Sequence, residues 1–353
     1  MSIITELVRK LFVQLLYYLL IPQLALLSVA IISRALEIAF MVEGMRKANK
    51  GIVGQTRNVT PAIANYGDDK SRSVLDAIEL LCSIRGIGFE YGQGVWIPSE
   101  TRPIEKRPFL CTTLVLFIRS FVILDVIESL LKLTPPLQTP QGGSIFLPSL
   151  PKFQRYIVST LLHVATGCGL LEGFQMVYFL CSLIAVGFLN NSPTAWPPIF
   201  DHPWDSYSLQ DFWSRRWHQL LRRIFMVFGG MPGKWVGSKL KHPHLGQLLG
   251  VFIASGLYHE IPAYAMGKGF DWRVPAFFLL HALLVLGERF WRSMTGRKVG
   301  GRWGRFWQSL LKTHLVVDSW HTRGLGGGLI IPPAISPMRR LILPIILQFI
   351  NLK

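Results

Sequence analysis

Long apolar runs alternate with polar and basic segments along the chain. The first run, 11–32, has 22 residues without a charged side chain, and a helix of about 20 residues crosses the roughly 30 Å hydrocarbon core of a bilayer. The run is longer than the apolar stretch of a cleavable signal peptide. We therefore interpret it as an uncleaved transmembrane helix, in which Pro22 is tolerated.

Further apolar runs follow along the rest of the chain. They occupy residues 109–131, 156–189, 245–264, 274–288, 325–335 and 341–350. The run 156–189 is interrupted by Gly167, Gly169, Glu172 and Gly173, so it is either one long tilted helix or two short ones. The pattern predicts an all-α, multi-pass integral membrane protein with about 7–9 transmembrane helices.

The polar segments subdivide a single predicted membrane-embedded domain, 1–353. A polar loop region, 33–108, follows the first helix, and a basic loop, 190–244, precedes a helical hairpin, 245–291. Basic blocks flank this hairpin on both sides. Cytosolic loops of membrane proteins are enriched in Lys and Arg, so both blocks are expected on the cytosolic side.

Composition and charge agree with a membrane protein. The chain is 50% hydrophobic and 16% charged, whereas soluble domains are about 25% charged. Its formal net charge of +17 lies in loops between apolar runs, which fits contact with anionic lipid headgroups or a phosphate-bearing ligand better than nucleic acid. His242 and His244, in the basic loop, are expected at the headgroups. The Cys, His, Asp and Glu spacings predict neither disulfides nor a metal site.

One apolar run carries small residues on one face and a histidine on another. Gly246, Gly250 and Ala254 recur every fourth residue, a spacing that lets a second helix approach closely. A different face carries Ser255 and His259. His259 therefore lies inside a tightly packed helix, where a polar side chain is unusual.

The residue pattern leaves two interpretations of His259 open. Burial favours the neutral imidazole, which can accept a proton as a general base. The alternative is a structural histidine that hydrogen-bonds a neighbouring helix. His259 and Glu260 do not form a zinc-protease motif, because Ala263 occupies the place of the second histidine. Ser255 lacks the preceding glycine of a nucleophile elbow.

The basic loop contains a segment, 208–219, that combines aromatic and cationic side chains. Ser208 is expected to cap a helix. Trp213 and Trp217 are four residues apart and would share one face of that helix. Such a helix either anchors the protein at the membrane surface or forms an entrance where arginines hold an anionic ligand.

Four motifs together resemble a known family. They are Arg85-Gly-Ile-Gly, Trp196-Pro-Pro-Ile-Phe200, Ser208-Leu-x-x-Phe-Trp-x-Arg-Arg-Trp-His-Gln and Ser255-Gly-Leu-x-His-Glu260. The chain thereby resembles the wax-synthase-like branch of the membrane-bound O-acyltransferase superfamily, and in particular fungal secondary-metabolite O-acetyltransferases. The resemblance implies a multi-helix membrane fold around an acyl-transfer tunnel. Acyl-CoA enters that tunnel from the cytosol, and a hydroxyl acceptor arrives from the membrane or the other side.

The resemblance also implies the roles of two histidines. The invariant histidine of the family corresponds to His259, expected to be the general base. In related branches a motif Phe-Tyr-x-Asp-Trp-Trp-Asn precedes it, and His218 takes the place of its asparagine. His218 or a nearby donor is expected to stabilise the developing oxyanion. Arg215 takes the place of the aspartate, a departure typical of the wax-synthase-like branch.

The remaining site predictions concern the acyl donor. Guanidinium groups are expected to hold the CoA phosphates, and indole rings to line the tunnel or stack on adenine. These side chains are Arg215, Arg216, Arg222, Trp213 and Trp217. Glu260 and Ser255 are expected to support His259. The expected co-substrate is acyl-CoA, with acetyl-CoA favoured, and neither a bound cofactor nor a metal is predicted.

Several functions stay open at this point. The favoured one is transfer of an acetyl group to a hydroxyl of a lipophilic natural product such as a terpenoid, in the endoplasmic reticulum membrane. The alternative within the same enzyme class is a wax ester synthase, which would transfer a long acyl chain instead of an acetyl group. A transporter with a polar pathway through Arg119, Asp125, Glu128 and Glu172 is a third function, although no inverted repeat supports it. A non-catalytic lipid-binding relative is the fourth.

Overall fold

The computed structural model describes residues 21–40, 83–87, 89, 92, 94–138, 142–300, 314–324 and 335–351. Helices joined by loops account for these residues, and no strand occurs among them. The prediction of an all-α protein is therefore confirmed for this part of the chain. The first half of the run 11–32, most of the region 33–108 and nearly all of the run 325–335 lie outside the described residues.

Eight helices of nine residues or more occur in the described part of the chain. They are α1 (Ile21–Phe40), α2 (Lys106–Leu131), α3 (Lys152–Gly187), α4 (Met231–Lys239), α5 (Pro243–Ala265), α6 (Arg273–Thr295), α7 (His314–Thr322) and α8 (Leu343–Asn351). Short α-helical turns lie at Pro135–Gln138, Leu209–Asp211 and Arg222–Phe225, and 3₁₀ turns at Pro193–Ala195 and Pro203–Asp205. The π-helical turns are Phe212–Arg216, Met226–Gly230 and Met338–Ile342.

Three of these helices, α2, α3 and α6, are long and apolar enough to cross a membrane. The run 156–189 lies in α3 except for its last two residues, and α3 is one continuous helix of 36 residues. At 1.5 Å per residue α3 is about 54 Å long, so it must tilt or extend beyond a hydrocarbon core of about 30 Å. Gly169 and Gly173 do not break α3, because both face Leu124 of α2. The total of about 7–9 transmembrane helices stays a prediction.

The small-residue face of α5 packs against a matching set of glycines. A Cβ atom on Gly250 would lie 2.1 Å from the carbonyl oxygen of Gly229, and one on Gly246 would lie 2.1 Å from that of Gly233. No larger residue fits at such distances. The predicted close approach is thus confirmed, and the partner is α4 together with the π-helical turn that precedes it.

The helices α5 and α6 form the predicted hairpin and pack antiparallel. Gly256 allows this approach, because a Cβ atom there would lie 2.7 Å from Cα of Pro275. Val316 of α7 belongs to the same apolar core as Phe252 of α5 and Phe278 of α6. The remaining face of α5, which carries His259, is turned toward a cavity.

Buried carboxylates of α2 hold the segment that leads into α8. Asp125 is 2% exposed and accepts hydrogen bonds from the Ser336 hydroxyl and, at 2.8 Å, from the backbone N–H of Met338. The guanidinium of Arg339 lies 3.7 Å from the Glu128 carboxylate and 3.9 Å from that of Asp125. These charges connect two parts of the bundle, an arrangement expected of paired charges inside a membrane protein.

Candidate active site

A cavity of about 620 Å³ is lined by α3, α5, α6, α7 and the segment that follows Ser208. Small-molecule sites have volumes of roughly 300–1,000 Å³. The cavity follows one face of α5 from His244 to His259, a length of about 22 Å at 1.5 Å per residue. Its wall is mainly apolar, with polar side chains at a few positions.

His259 is held in one orientation by its own helix. Its Nδ1 lies 2.7 Å from the carbonyl oxygen of Ser255. A carbonyl oxygen only accepts hydrogen bonds, so Nδ1 carries the proton and the neutral ring has its lone pair on Nε2. Nε2 makes no hydrogen bond to any described residue. Phe278 packs against the ring with 4.6 Å between centroids. His259 therefore contributes a proton acceptor to the cavity wall.

The segment after Ser208 is not the amphipathic surface helix that the sequence predicts. Ser208 does cap it, since its side-chain oxygen accepts the backbone N–H of Asp211 at 3.0 Å. The helix then ends at Arg216, and Trp217 is extended, with φ −77° and ψ 153°. Trp213 and Trp217 therefore do not share a helix face, and the prediction of one continuous helix over 208–219 is wrong.

Hydrogen bonds explain why this helix stops. The side-chain amide of Gln219 donates to the carbonyl oxygens of Trp213 at 2.9 Å and Trp217 at 3.0 Å. These acceptors are thus satisfied without a further helical turn. The backbone N–H of Trp217 bonds the carbonyl oxygen of Phe212 at 2.8 Å, five residues back, which is the pattern of a π-turn. The turn places His218 in the cavity wall.

His218 lies within a group of aromatic rings. Its ring centroid is 4.9 Å from that of Phe174 and 5.8 Å from that of Phe200. Burial, and then a charge on His259, lowers the pKa of His218 to about 3, so the ring is neutral at physiological pH. A neutral imidazole keeps one N–H, which is the donor that an oxyanion requires.

The structure brings one of the three predicted phosphate-binding arginines to the described cavity wall. That residue is Arg222. Arg215 is exposed, and its guanidinium carbon lies 4.9 Å from the ring centre of Trp96. Arg216 is bound within the protein, because its Nε donates to the Asp211 carboxylate at 3.1 Å.

Both predicted tryptophans line the cavity. Trp213 packs edge-on against Phe252 of α5, with 5.9 Å between centroids. Trp217 stacks on Phe212 at 5.4 Å. The indoles therefore line the cavity, which is one of the two roles predicted for them. Stacking on adenine stays a prediction.

The two predicted supporting residues have different surroundings. Ser255 lines the cavity, and its carbonyl oxygen fixes the ring of His259. The Glu260 carboxylate lies 2.7 Å from the Arg323 guanidinium and accepts the backbone N–H of Asp271 at 2.8 Å. Glu260 thereby joins the end of α5 to the end of α7 and to the turn before α6.

Four further residues with titratable side chains line the cavity, and the sequence had not indicated them as site residues. They are His163, His244, His281 and Arg289. His281 and Arg289 lie eight residues apart in α6 with Val285 between them, so a stripe of every fourth residue could have indicated their shared face. His244 is exposed and lines one end of the cavity, and its expected contact with lipid headgroups stays a prediction.

Two of the four sequence motifs contact each other across a large separation in the chain. The buried guanidinium of Arg85 donates to the carbonyl oxygens of Pro198 at 2.7 Å and Pro197 at 2.9 Å. This contact fixes the segment that carries Phe200, whose ring contacts His218. The Arg85 motif thus supports the cavity wall from outside.

The chain is similar to known acyltransferases. The sequence model of the "Membrane bound O-acyl transferase family" matches residues 196–280. "Acetyltransferase ple2" of Rhodocybe pseudopiperita is 24% identical over 253 residues, which are 68% of this chain and 62% of the relative. "Acetyltransferase atnC" of Arthrinium sp is 26% identical over 292 residues, 74% of this chain and 65% of the relative. "Probable long-chain-alcohol O-fatty-acyltransferase 2" of Arabidopsis thaliana is 36% identical over 95 residues, 26% and 28% of the two chains.

These alignments span less than two thirds of each relative's own length. No solved structure matches the chain. The matched segment 196–280 contains both His218 and His259. The resemblance that the sequence motifs show to the wax-synthase-like branch of the membrane-bound O-acyltransferase superfamily is thereby confirmed.

Proposed function

We propose that this protein is an acyl-CoA-dependent O-acyltransferase of the endoplasmic reticulum membrane. Its favoured reaction is transfer of an acetyl group to a hydroxyl of a lipophilic natural product such as a terpenoid. The fungal relatives named acetyltransferases support an acetyl donor. A long-chain-alcohol O-fatty-acyltransferase is the second candidate, supported by the higher identity of 36% to the plant relative over a shorter region.

The observation that carries the proposal is the protonation state of His259. Its Nδ1–H is bound to the Ser255 carbonyl oxygen, so the basic Nε2 is available in the cavity wall. Phe278 packs against the same ring and helps to hold it in place. A fixed, neutral imidazole in an enclosed apolar site is suited to act as a general base.

The reaction proceeds by direct transfer, without a covalent enzyme intermediate. His259 Nε2 accepts the proton of the acceptor hydroxyl, whose oxygen attacks the thioester carbonyl carbon. The C–O bond forms, and the carbonyl oxygen becomes a transient oxyanion. When the C–S bond breaks, His259 returns the proton to the sulfur of the departing CoA. The products are an ester and free CoA, and His259 is again neutral.

Other cavity residues have supporting roles in this proposal. The N–H of His218 stabilises the oxyanion. Arg222 supplies a positive charge for the CoA phosphates, while Trp213 and Trp217 form the wall along the donor. Glu260 acts on His259 indirectly, because its ion pair with Arg323 anchors the end of α5.

Full-length protein in microsomes or detergent tests this function. Acyl-CoAs from acetyl to palmitoyl are offered with a pool of lipophilic alcohols, and esters are identified by mass spectrometry. We expect ester formation to be fastest with acetyl-CoA. The His259→Gln variant should lose activity by about 100-fold or more, since general bases contribute roughly 10²–10⁴-fold.

A matched control is His242→Gln, which replaces an exposed histidine just before α5 that does not belong to the described cavity wall. It should keep wild-type activity. Equal rates for His259→Gln and the wild type would refute the role of His259. Palmitoyl-CoA as the preferred donor would establish the second candidate instead.

A further inference from the structure

The cavity has two ends of different chemistry. His244 lies at the start of α5 and Arg289 near the end of α6, and both line the cavity. Because α5 and α6 are antiparallel, these two residues lie at the same end of the hairpin. His259 lies at the other end. If the proposed function holds, the reacting hydroxyl belongs at the His259 end, and Arg289 at the opposite end adds a second positive charge for the donor phosphates to that of Arg222.

Gly167 of α3 lies at the His259 end. The preceding residue, Thr166, has its hydroxyl 3.1 Å from Nε2 of His321 in α7. Two residues after His321, Arg323 forms the ion pair with Glu260, which directly follows the proton acceptor in α5. Gly167 also lines the same cavity.

Gly167 leaves part of this cavity open. Apart from its chain neighbours and the adjacent backbone of α3, no heavy atom lies within 4 Å of the position that a Cβ atom of Gly167 would occupy. Gly169 faces the opposite side of α3, where a Cβ atom would contact Ile127 at 3.4 Å. Glycine is less favourable than alanine inside a helix, and packing against α2 explains Gly169. At Gly167 the missing side chain enlarges the cavity instead.

The wall that contains Gly167 also borders the outside of the helix bundle. Val164, one turn before Gly167, lines the cavity and is 44% exposed on α3. Lipid surrounds α3 when it crosses a membrane. For the proposed function, this side of α3 is where a lipophilic alcohol would enter the cavity from the bilayer.

We propose that Gly167 is a specificity-determining residue that sets the size of the alcohol accepted beside His259. An acetyl group fills little of the space at this end, so the volume at Gly167 accommodates the carbon skeleton of the alcohol. A side chain at this position would occupy part of that volume. The inference rests on the proposed function and adds its acceptor site.

The test compares the wild type with Gly167→Ala and Gly167→Leu. Each is supplied with saturating acetyl-CoA and a series of alcohols from short linear to polycyclic, and kcat/KM is measured for each ester. Gly167→Leu should lower kcat/KM for polycyclic alcohols by about tenfold or more, the scale of steric discrimination in apolar pockets. Short linear alcohols should be converted almost as by the wild type, and Gly167→Ala should fall between.

Gly287→Leu is the matched control, because a Cβ atom at Gly287 of α6 also has no heavy atom within 4 Å, but Gly287 is not part of the described cavity wall. It should keep the wild-type order of alcohols. The proposal is wrong if the variants at Gly167 lose activity equally with all alcohols, or if they lose more with short linear alcohols than with polycyclic ones. If Gly167→Leu fails to fold, the test uses Gly167→Ala. The ratio of kcat/KM for polycyclic alcohols to kcat/KM for short linear alcohols is then compared between Gly167→Ala and the wild type. Lack of any ester from the wild type would refute the proposed function itself.

Discussion

Replacing Gly250 by alanine tests the close packing that positions the candidate base. The added methyl would lie 2.1 Å from the carbonyl oxygen of Gly229 and 2.8 Å from its carbonyl carbon. Ordinary van der Waals contact begins at 3.4 Å, so α5 and the turn before α4 must separate by about 1 Å. Overpacking of this kind destabilises a protein by about 1–3 kcal/mol.

The same displacement should reach the chemistry. His259 lies nine residues beyond Gly250 in the same continuous helix. Since α5 moves as a rigid element, its imidazole shifts with it, and a misplacement of about 1 Å lowers rates by about 100-fold. We therefore expect Gly250→Ala to reduce both the thermal stability and kcat.

Thermal unfolding in detergent, followed by the fluorescence of the 11 tryptophans, measures the first effect, and ester formation measures the second. Gly287→Ala is the control, because it adds the same methyl in α6 where no heavy atom lies within 4 Å. Alanine is the better helix former, so the control should be neutral or slightly stabilised. If the two variants unfold at the same temperature and have equal kcat, the packing argument is refuted.

Two further predictions concern the end of the bundle near α7. Glu260→Gln removes the charge partner of the nearly buried Arg323, which should cost about 3–5 kcal/mol of unfolding free energy, and the double variant with Arg323→Gln should recover part of it. Burial, and then the charge of Lys132, lowers the pKa of His321 to about 4. The unfolded chain, with a pKa of about 6.5, binds more protons between these values. Stability should therefore be complete above about pH 6.5 and fall by about 2 kcal/mol toward pH 5.

Unfolding temperatures at two pH values separate these effects. Glu260→Gln should lower the unfolding temperature at pH 7.5, and a double variant less stable than either single one would contradict the ion-pair argument. His321→Gln should show a smaller decline between pH 7.5 and pH 5 than the wild type. An unchanged decline would show that other groups cause it.

The helical framework was readable from the sequence because membrane helices have a strong apolar signal. The every-fourth spacing of Gly246, Gly250 and Ala254 correctly predicted a close helix contact. The spacing could not identify the partner helix, because the sequence does not show which neighbour the glycines of α4 face. The choice between one and two helices in 156–189 was also open, since it depended on whether Gly169 faces a neighbouring helix.

The sequence predicted those site residues that belong to local motifs. It could not predict contacts between residues that are far apart in the chain. His218, Trp213 and Trp217 line one cavity, but the segment that carries them is not the continuous helix that the sequence predicted. The spacing of apolar and polar residues could not predict that hydrogen bonds from the Gln219 side chain end the helix. Likewise Arg216 was expected to bind phosphate, and only the folded chain shows it beside Asp211.

The two histidines and the outer walls of the cavity come from different parts of the chain, and this has a consequence for how such proteins diverge. The segment 196–280 contains the two histidines, whereas Gly167 on α3 and the cavity-facing residues of α7 lie outside it. If the proposed function and the proposed role of Gly167 hold, mutations in these outer walls change which alcohol fits while the two histidines stay the same. Such proteins would then come to accept new alcohols through changes in the cavity wall around two unchanged histidines.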